Sequence, residues 1–190
     1  TLSATPIPRT LYLGLTGARD MSLLQTPPRE RVATETRVVR HTDDVVKNAI
    51  LAEVGRGGQV FYLHNRVMTI ELVYAKLKEM LPHIRIAVGH GQMPASQIEE
   101  TMRDFAAGRY DVLLSTTIIE SGIDIPRANT ILVDRADRFG IADLYQLRGR
   151  VGRGGVKAYA YFLVPPESYI SPDSRQRLKA LQQHSGLGTG

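Results

Sequence analysis

Apolar residues along the chain form short blocks whose spacing switches repeatedly between that of a strand and that of a helix. Compact apolar runs predict strands, and longer segments with apolar residues three or four positions apart predict helices. The predicted strands are 34–40, 59–63, 84–88, 112–115, 130–133 and 158–164. The predicted helices are a segment capped by Thr42 or Asp43 and running to Val54, then 67–81, a segment with Pro94 in its first turn, 141–147 and 173–183.

Two of the predicted helices carry a well-defined apolar face. In the helix over 67–81 this face consists of Ile70, Val73, Leu77, Met80 and Leu81. In the helix after Pro94 it consists of Ile98, Met102, Phe105 and Ala106. Each of these helices is therefore expected to pack one side against a sheet.

The alternation of strands and helices predicts a layered α/β fold. Consecutive strands separated by a helix are normally parallel and joined by right-handed crossovers. Ligands in such folds bind at the carboxyl ends of the strands. The loops 64–66, 89–93, 116–124 and 135–139 each follow a predicted strand, so the chemistry of the protein is expected there.

Composition and charge favour a single globular domain with a polyanionic partner and argue against a membrane protein. The length of 190 residues suits one domain of ordinary size, and the formal net charge of +5 favours a polyanionic partner. No apolar run is long enough to cross a bilayer and no secretory signal opens the chain, so a cytoplasmic location without a membrane partner is expected. The five histidines show no metal-ligand spacing, and no metal site is predicted.

The segment 146–154, QLRGRVGRG, is the strongest candidate for binding chemistry. It places Arg148, Arg150 and Arg153 within six residues, with glycines between them. Glycine permits a tight bend, and the planar guanidinium matches phosphate oxygens at any working pH. Two such groups on one turn could reach the same terminal phosphate. A short basic tripeptide by itself is more often a solvated loop.

A second candidate is the segment 116–124, TTIIESGID, which follows a predicted strand. The hydroxyls of Thr116 and Thr117 can bind phosphate at a strand–helix junction. Gly122 permits a turn that presents Asp124, whose carboxylate can accept from a ribose hydroxyl. A helix cap at the threonines and an ordinary turn at the glycine are the alternative interpretation.

These motifs together resemble the second RecA-like motor domain of superfamily 2 helicases. Within that superfamily the resemblance is closest to the bacterial transcription-repair coupling factors, and the RecG fork-reversal helicases are similar through the same region. It covers nearly the whole chain and rests on TPIPRTL, GQVFYLHNRV, GHGQM, TTIIESGIDIPRANTI and ADRFGIADLYQLRGRVGR. The resemblance implies a RecA-like three-layer α/β domain, with a mainly parallel sheet between helices on both faces.

The resemblance also implies roles for matched positions. Arg150 and Arg153 resemble arginine fingers that reach the γ-phosphate of ATP, and Gln146 would position that phosphate or the finger loop. Gly122 and Asp124 match a pair that contacts the ribose. The residues that would contact the DNA backbone are Asn65, Arg66, Gly89, His90, Gly91, Gln92, Thr116 and Thr117. For His90, a bond to its own loop backbone is an equal alternative.

Members of these families are DNA-dependent ATPases, so the resemblance implies ATP with Mg²⁺ as the cofactor and double-stranded DNA as a partner. The chain has no G-x-x-x-x-G-K-[ST] loop, so the nucleotide would be held mainly by a preceding RecA-like domain in cis. Alone, the chain is expected to be close to inactive. RNA polymerase and excision-repair proteins would be partners through other domains of the parent.

The expected domain organisation follows from the same resemblance. Residues 1–31 would be the end of the preceding motor domain and a linker, 32–170 the second RecA-like domain, and 171–190 the start of a translocation hairpin. Three alternatives remain at this point: a RecG-like fork-reversal enzyme, a non-catalytic nucleic-acid-binding module of the same fold, and a Rossmann-type enzyme. The last needs a glycine-rich fingerprint after the first strand, whereas GRGG at 55–58 precedes one.

Overall fold

A computed structural model describes residues 32–117 and 123–184 of the chain. In this part, six strands form one sheet in which every neighbouring pair is parallel, with the order β1-β6-β5-β2-β4-β3. The strands are β1 (Glu35–Arg40), β2 (Gln59–Leu63), β3 (Ile86–Gly89), β4 (Val112–Ser115), β5 (Ala128–Val133) and β6 (Tyr159–Val164). The predicted α/β class is confirmed.

Five α-helices connect or follow these strands in the described residues. They are α1 (Asp43–Gly55), α2 (Val67–Met80), α3 (Ala95–Ala106), α4 (Ile141–Arg148) and α5 (Pro172–His184), with 3₁₀ turns at Ala136–Arg138 and Glu167–Tyr169. Thr42 caps α1 by accepting from the Val45 backbone nitrogen at 3.2 Å, which decides between the two predicted caps. None of these helices is long and apolar enough to cross a bilayer.

Helices cover both faces of the sheet because successive strand residues point to opposite sides. Leu132 of β5 lies in the core beneath α1 and α2, where Ile50 and Leu77 are also buried. Its neighbours Ile131 and Val133 lie in the core on the other face, beneath α4 and α5. The middle layer is therefore apolar on both sides, which explains why its strands read as continuous apolar runs.

The predicted apolar faces of two helices are confirmed with small boundary differences. Ile70 and Leu77 of α2, and Met102 and Phe105 of α3, are buried. Pro94 lies at the position before α3 rather than in its first turn, and its carbonyl accepts from the Gln97 and Ile98 nitrogens. Strand β3 begins at Ile86, two residues later than predicted, and β5 begins at Ala128, two residues earlier.

The predicted domain limits stay predictions. Residues 1–31 and 185–190 lie outside the described part of the chain. Within it, α5 packs into the core beneath α4 through the buried side chains of Leu178 and Leu181.

Candidate active site

The loops that follow β2, β4 and β5 meet at the carboxyl edge of the sheet and enclose a cleft of about 420 Å³. Parallel strands bring these loops together because all of their carboxyl ends lie on one edge. Five residues predicted from separate parts of the sequence line this cleft: Asn65, Thr116, Thr117, Gln146 and Arg150. Hydroxyl, amide and guanidinium groups thus face a common space that can hold an anion.

Arg138, Phe139 and Asp143 also line the cleft. Arg138 and Phe139 lie in the loop 135–139, where chemistry was expected, but no role was predicted for any of the three. All three belong to the segment 136–148, whose buried core residues in this layer are Ala136, Leu144 and Leu147. The string ADRFG within the quoted motif was the available signal, but it carries no spacing that identifies a ligand.

The segment from Gly149 to Gly154 positions Arg150 by a glycine-dependent turn. Gly149 ends α4 with an ordinary φ of −70°, so the bend does not depend on glycine there. At Gly152 φ is +84°, a conformation that side-chain-bearing residues rarely adopt. A Cβ atom at Gly154 would lie 2.7 Å from the Pro126 carbonyl oxygen. The turn between the two predicted arginine fingers therefore requires glycine at 152, and the close approach to Pro126 just after Arg153 requires glycine at 154.

Arg153 does not share the cleft with Arg150. Its Nη1 atom lies 3.9 Å from the Oδ1 atom of Asp124, and the side chains of Arg153 and Asp124 are 49% and 66% exposed. This is a solvent-screened ion pair of small energetic value. The two residues that the resemblance assigns to the nucleotide thus meet each other on the surface, outside the core. Gly122, the predicted partner of Asp124, lies outside the described residues.

Arg148 has a definite contact that the sequence could not indicate. Its guanidinium lies over the ring of Tyr145, 4.8 Å from the ring centroid. This is a cation–π contact within one turn of α4.

The predicted DNA-contacting segment 89–92 begins on the last residue of β3 and continues into the loop after it. The Gln92 backbone nitrogen donates to His90 Nδ1 at 3.3 Å, which is the loop-internal bond considered as the alternative role of His90. Gly89 is the last residue of β3, and a Cβ at Gly91 would meet open space. The DNA contact of this loop stays a prediction.

A polar cluster built on two buried residues, His64 and Asp134, lies beside the cleft and was not anticipated. The Asp134 carboxylate accepts from His64 Nδ1 at 2.7 Å and from His41 Nδ1 at 3.2 Å. The other ring nitrogen of His64 lies 2.7 Å from the Thr69 hydroxyl. The cluster joins the ends of β1, β2 and β5 to the first turn of α2, and His64 and Asp134 line a small cleft together with Asn65 and Arg66.

The cluster changes the protonation of its carboxylate. Burial by itself raises the pKa of Asp134, but the hydrogen bonds from His41 and His64 outweigh burial and hold that pKa well below its ordinary value. Asp134 therefore stays ionised in the folded protein even under acidic conditions.

This shift predicts a pH-dependent stability that Asp134→Asn removes. A carboxyl group with a lowered folded-state pKa contributes stability above its unfolded pKa, near pH 4, and loses it as the pH falls further. At pH 7 we expect the variant to be less stable by about 1.5–3 kcal/mol, the value of hydrogen bonds to a charged group. Urea unfolding of the chain between pH 3 and pH 7 measures this difference.

The matched control for this prediction is Asp44→Asn, at an exposed carboxylate in the first turn of α1. Wild type should lose stability more steeply below pH 4 than the Asp134→Asn protein, whereas the control should follow wild type. Equal slopes for all three proteins would contradict the assigned role of Asp134.

Comparison with known proteins defines the class to which this fold and cleft belong. Residues 41–155 match the family described as Helicase conserved C-terminal domain. The chain belongs to this helicase C-terminal domain family. The match includes β2, β4 and β5 and every residue that lines the cleft.

Within this class the chain is similar to particular proteins over its whole length. It is 53% identical to the transcription-repair-coupling factor of Myxococcus xanthus and 50% identical to that of Escherichia coli (strain K12), each over 190 residues. The alignments cover 100% of this chain but 16% and 17% of those proteins. The chain therefore spans about one sixth of the length of these relatives.

Solved structures show the same fold. The chain matches a structure of RecG bound to a three-way DNA junction with a TM-score of 0.72 and 34% identity, over 98% of this chain and 26% of that one. It also matches the C-terminal domain of the DEAD-box protein Dbp5 with a TM-score of 0.57 and 23% identity, over 81% of this chain and 86% of that one. The second match bears on the fold alone.

Proposed function

We propose that this chain is the second motor domain of an ATP-dependent double-stranded DNA translocase that acts in transcription-coupled repair in the bacterial cytoplasm. The observation that carries the proposal is the cleft, which is lined both by Arg150 and Gln146, proposed for the nucleotide, and by Thr116, Thr117 and Asn65, proposed for DNA. Its supporting context is the 46–53% identity to transcription-repair-coupling factors.

The lining of the cleft offers donors for the phosphate oxygens of ATP, and the question is which residues would hold Mg²⁺. Arg150 offers a charged donor fork and Gln146 an amide, and both suit phosphate oxygens. The described residues contain no group of three or more His, Cys, Asp or Glu side chains that could hold a metal. In this proposal the phosphate loop and the Mg²⁺ ligands belong to a preceding RecA-like domain in the same protein.

In this proposal Arg150 and Arg153 act as fingers across the gap between the two motor domains. ATP hydrolysis supplies the free energy, and this chain contributes positive charge where negative charge develops on the transferred phosphoryl group. Arg153 would leave Asp124 when the domains close, because their contact of 3.9 Å is exposed and weak. Closure and reopening would alternate the grip of the DNA-facing loops on one strand.

The contacts to DNA would be made by the loops after β2, β3 and β4. Asn65 and Arg66 are exposed at the corner between β2 and α2, and Thr116 and Thr117 lie at the end of β4. Side chains of these types bind phosphate and sugar, which position a protein on a duplex without reading its sequence. The loop residues Gly89, His90, Gly91 and Gln92 would add backbone contacts.

The proposal predicts that Asn65→Ala weakens DNA binding by the full-length protein without changing nucleotide binding. Loss of one neutral hydrogen bond costs about 0.5–1.5 kcal/mol, or roughly two- to tenfold in affinity. Duplex affinity measured by fluorescence anisotropy, and the KM for ATP at saturating DNA, separate the two effects. Asn48→Ala, at an exposed position of α1 outside the cleft, is the control. Equal effects of the two substitutions would contradict the DNA contact.

A second candidate function is RecG-like fork reversal, favoured by the structural match to RecG at 34% identity. The full-length protein separates the two candidates by experiment. A coupling factor should displace an RNA polymerase stalled on DNA in an ATP-dependent reaction, whereas a fork-reversal enzyme should convert a model replication fork into a four-way junction. Activity in the second assay alone would overturn the role in transcription-coupled repair.

A further inference from the structure

A small cleft of about 120 Å³ opens beside the larger one, between the residues that follow β2 and those that follow β5. Its charged lining consists of Arg66, Arg135, Arg138 and Asp134, together with the imidazole of His64. The ligand that suits this cleft depends on which of these charges are already paired within the protein.

The carboxylate in the cleft is already occupied. Asp134 accepts from His64 at 2.7 Å through one oxygen and lies 3.2 Å from His41 Nδ1 through the other. Only 10% of its side chain is exposed. It is therefore poorly placed to form an ion pair with a cation of the cleft, and the two imidazoles reduce its repulsion of an incoming anion.

One of the three arginines in the cleft is already paired with a carboxylate of the protein. Arg135 donates to both carboxylate oxygens of Asp137, at 3.0 and 2.8 Å. Its backbone has a φ of +50°, uncommon for a residue with a side chain, so this pairing coincides with a specialised turn. Arg135 therefore belongs to the structure of the turn rather than to a binding surface.

Arg66 and Arg138 differ from Arg135 in this respect. Within residues 32–117 and 123–184, no carboxylate lies in ion-pair range of either guanidinium. Both side chains are exposed. They line the cleft from two different elements: Arg66 is the residue that precedes α2, and Arg138 ends the 3₁₀ turn after β5.

We propose that the Arg66–Arg138 cleft is a phosphate-binding subsite in which the two guanidinium groups hold the oxygens of one phosphate. Arginine is the residue best suited to planar, bidentate recognition of phosphate. Arg66 already has a proposed DNA contact, whereas Arg138 is new, and it extends the contact surface from β2 to β5.

The subsite is continuous with the larger cleft. Asn65, Arg138 and Phe139 line both, so a phosphate held by Arg138 lies next to the space that Arg150 faces. The phosphate could belong to a DNA backbone or to a nucleotide. Assignment to the motor cycle rests on the proposed function, but the presence of the subsite does not.

The test measures phosphate binding by the full-length protein with Arg138→Ala. If the phosphate belongs to DNA, duplex affinity should fall roughly tenfold, and the slope of log K against log salt concentration should become shallower by about 1. If it belongs to the nucleotide, the KM for ATP should rise while the DNA salt slope stays constant. Either result supports the subsite and identifies its source.

The matched control is Arg103→Ala, which removes the same charge from an exposed position of α3 outside both clefts. The double variant with Arg66→Ala and Arg138→Ala tests whether both side chains hold one phosphate. In that case its loss of affinity should be several-fold smaller than the product of the single losses. Effects of Arg138→Ala that equal those of Arg103→Ala, or single losses that multiply exactly, would overturn the proposal.

Failure of the subsite is distinguishable from failure of the proposed function. If the protein is no motor, wild type shows no DNA-stimulated ATP hydrolysis, but the salt slope for duplex binding still reports on Arg138. If it is a motor without this subsite, hydrolysis is normal and Arg138→Ala behaves as Arg103→Ala does.

Discussion

Arg150→Ala in the full-length protein should lower kcat for DNA-stimulated ATP hydrolysis by about 10³–10⁵, the value of an arginine finger in other phosphoryl-transfer enzymes. Arg150 lines the cleft with Gln146, Thr116 and Thr117, and the turn behind it requires glycine at Gly152. The finger stabilises charge that develops only in the transition state, so KM for ATP should change far less than kcat. Steady-state kinetics at saturating duplex DNA give both constants.

Arg148→Ala is the matched control for this prediction. It removes the same charged group two residues earlier, but that guanidinium lies over the Tyr145 ring at 4.8 Å and does not line the cleft. We expect kcat of this variant to stay within a few-fold of wild type. If Arg150→Ala also retains turnover within a few-fold, the finger assignment is wrong. Arg153→Ala tests the second finger independently, since Arg153 lies outside the cleft beside Asp124.

Glu53→Ala should destabilise the chain by about 1–3 kcal/mol, the cost of leaving a buried hydrogen-bonding group without its partner. Glu53 is 2% exposed near the end of α1. It accepts from the Thr130 hydroxyl at 2.8 Å and from Arg56 Nη2 at 2.8 Å, and Arg56 also donates to the Lys157 carbonyl at 2.6 Å. The substitution leaves a buried hydroxyl and a partly buried guanidinium without their acceptor.

Urea unfolding followed by far-UV circular dichroism measures the effect, and Glu71→Ala at an exposed position of α2 is the control. Glu53→Gln should fall between the two, because the amide oxygen still accepts one hydrogen bond while the charge is lost. A Glu53→Ala protein within 1 kcal/mol of the control would contradict the structural role of this network. The same network explains Gly58, where a Cβ atom would collide with the Glu53 carboxylate.

Most of the strands and helices could be predicted from the local spacing of apolar residues. The apolar run at Gln59–Leu63 and the apolar face that includes Ile70 and Leu77 predicted the strand and helix found there. Strand limits were less certain: β5 begins at Ala128, where it pairs with Gln59 of β2, although its next two residues, Asn129 and Thr130, are polar. Polar residues at the end of a buried strand weaken the apolar signal, so the pattern places such boundaries poorly.

The sequence predicted some residues of the candidate site but not others, because it shows motifs but not spatial neighbours. Asn65, Thr117 and Arg150 could be assigned because each belongs to a motif that follows a predicted strand or helix, and the cleft brings them together. Arg138 could not be assigned, because nothing local distinguishes it from Arg135, which is paired with Asp137. Only the positions of neighbouring carboxylates separate a structural arginine from one available to a ligand.

The sequence by itself determined the kinds of elements, their order along the chain, and the end of the sheet where the chemistry would lie. The spacing of buried residues along a helix or strand is local and periodic, so these elements can be predicted without knowing which strands are neighbours. The tertiary structure alone decided that β5 lies between β2 and β6, and hence that Asp134 meets His64, 70 residues away in sequence. Contacts of this kind cannot be predicted from local sequence, because the residues that flank a side chain do not indicate which distant residue the sheet brings next to it.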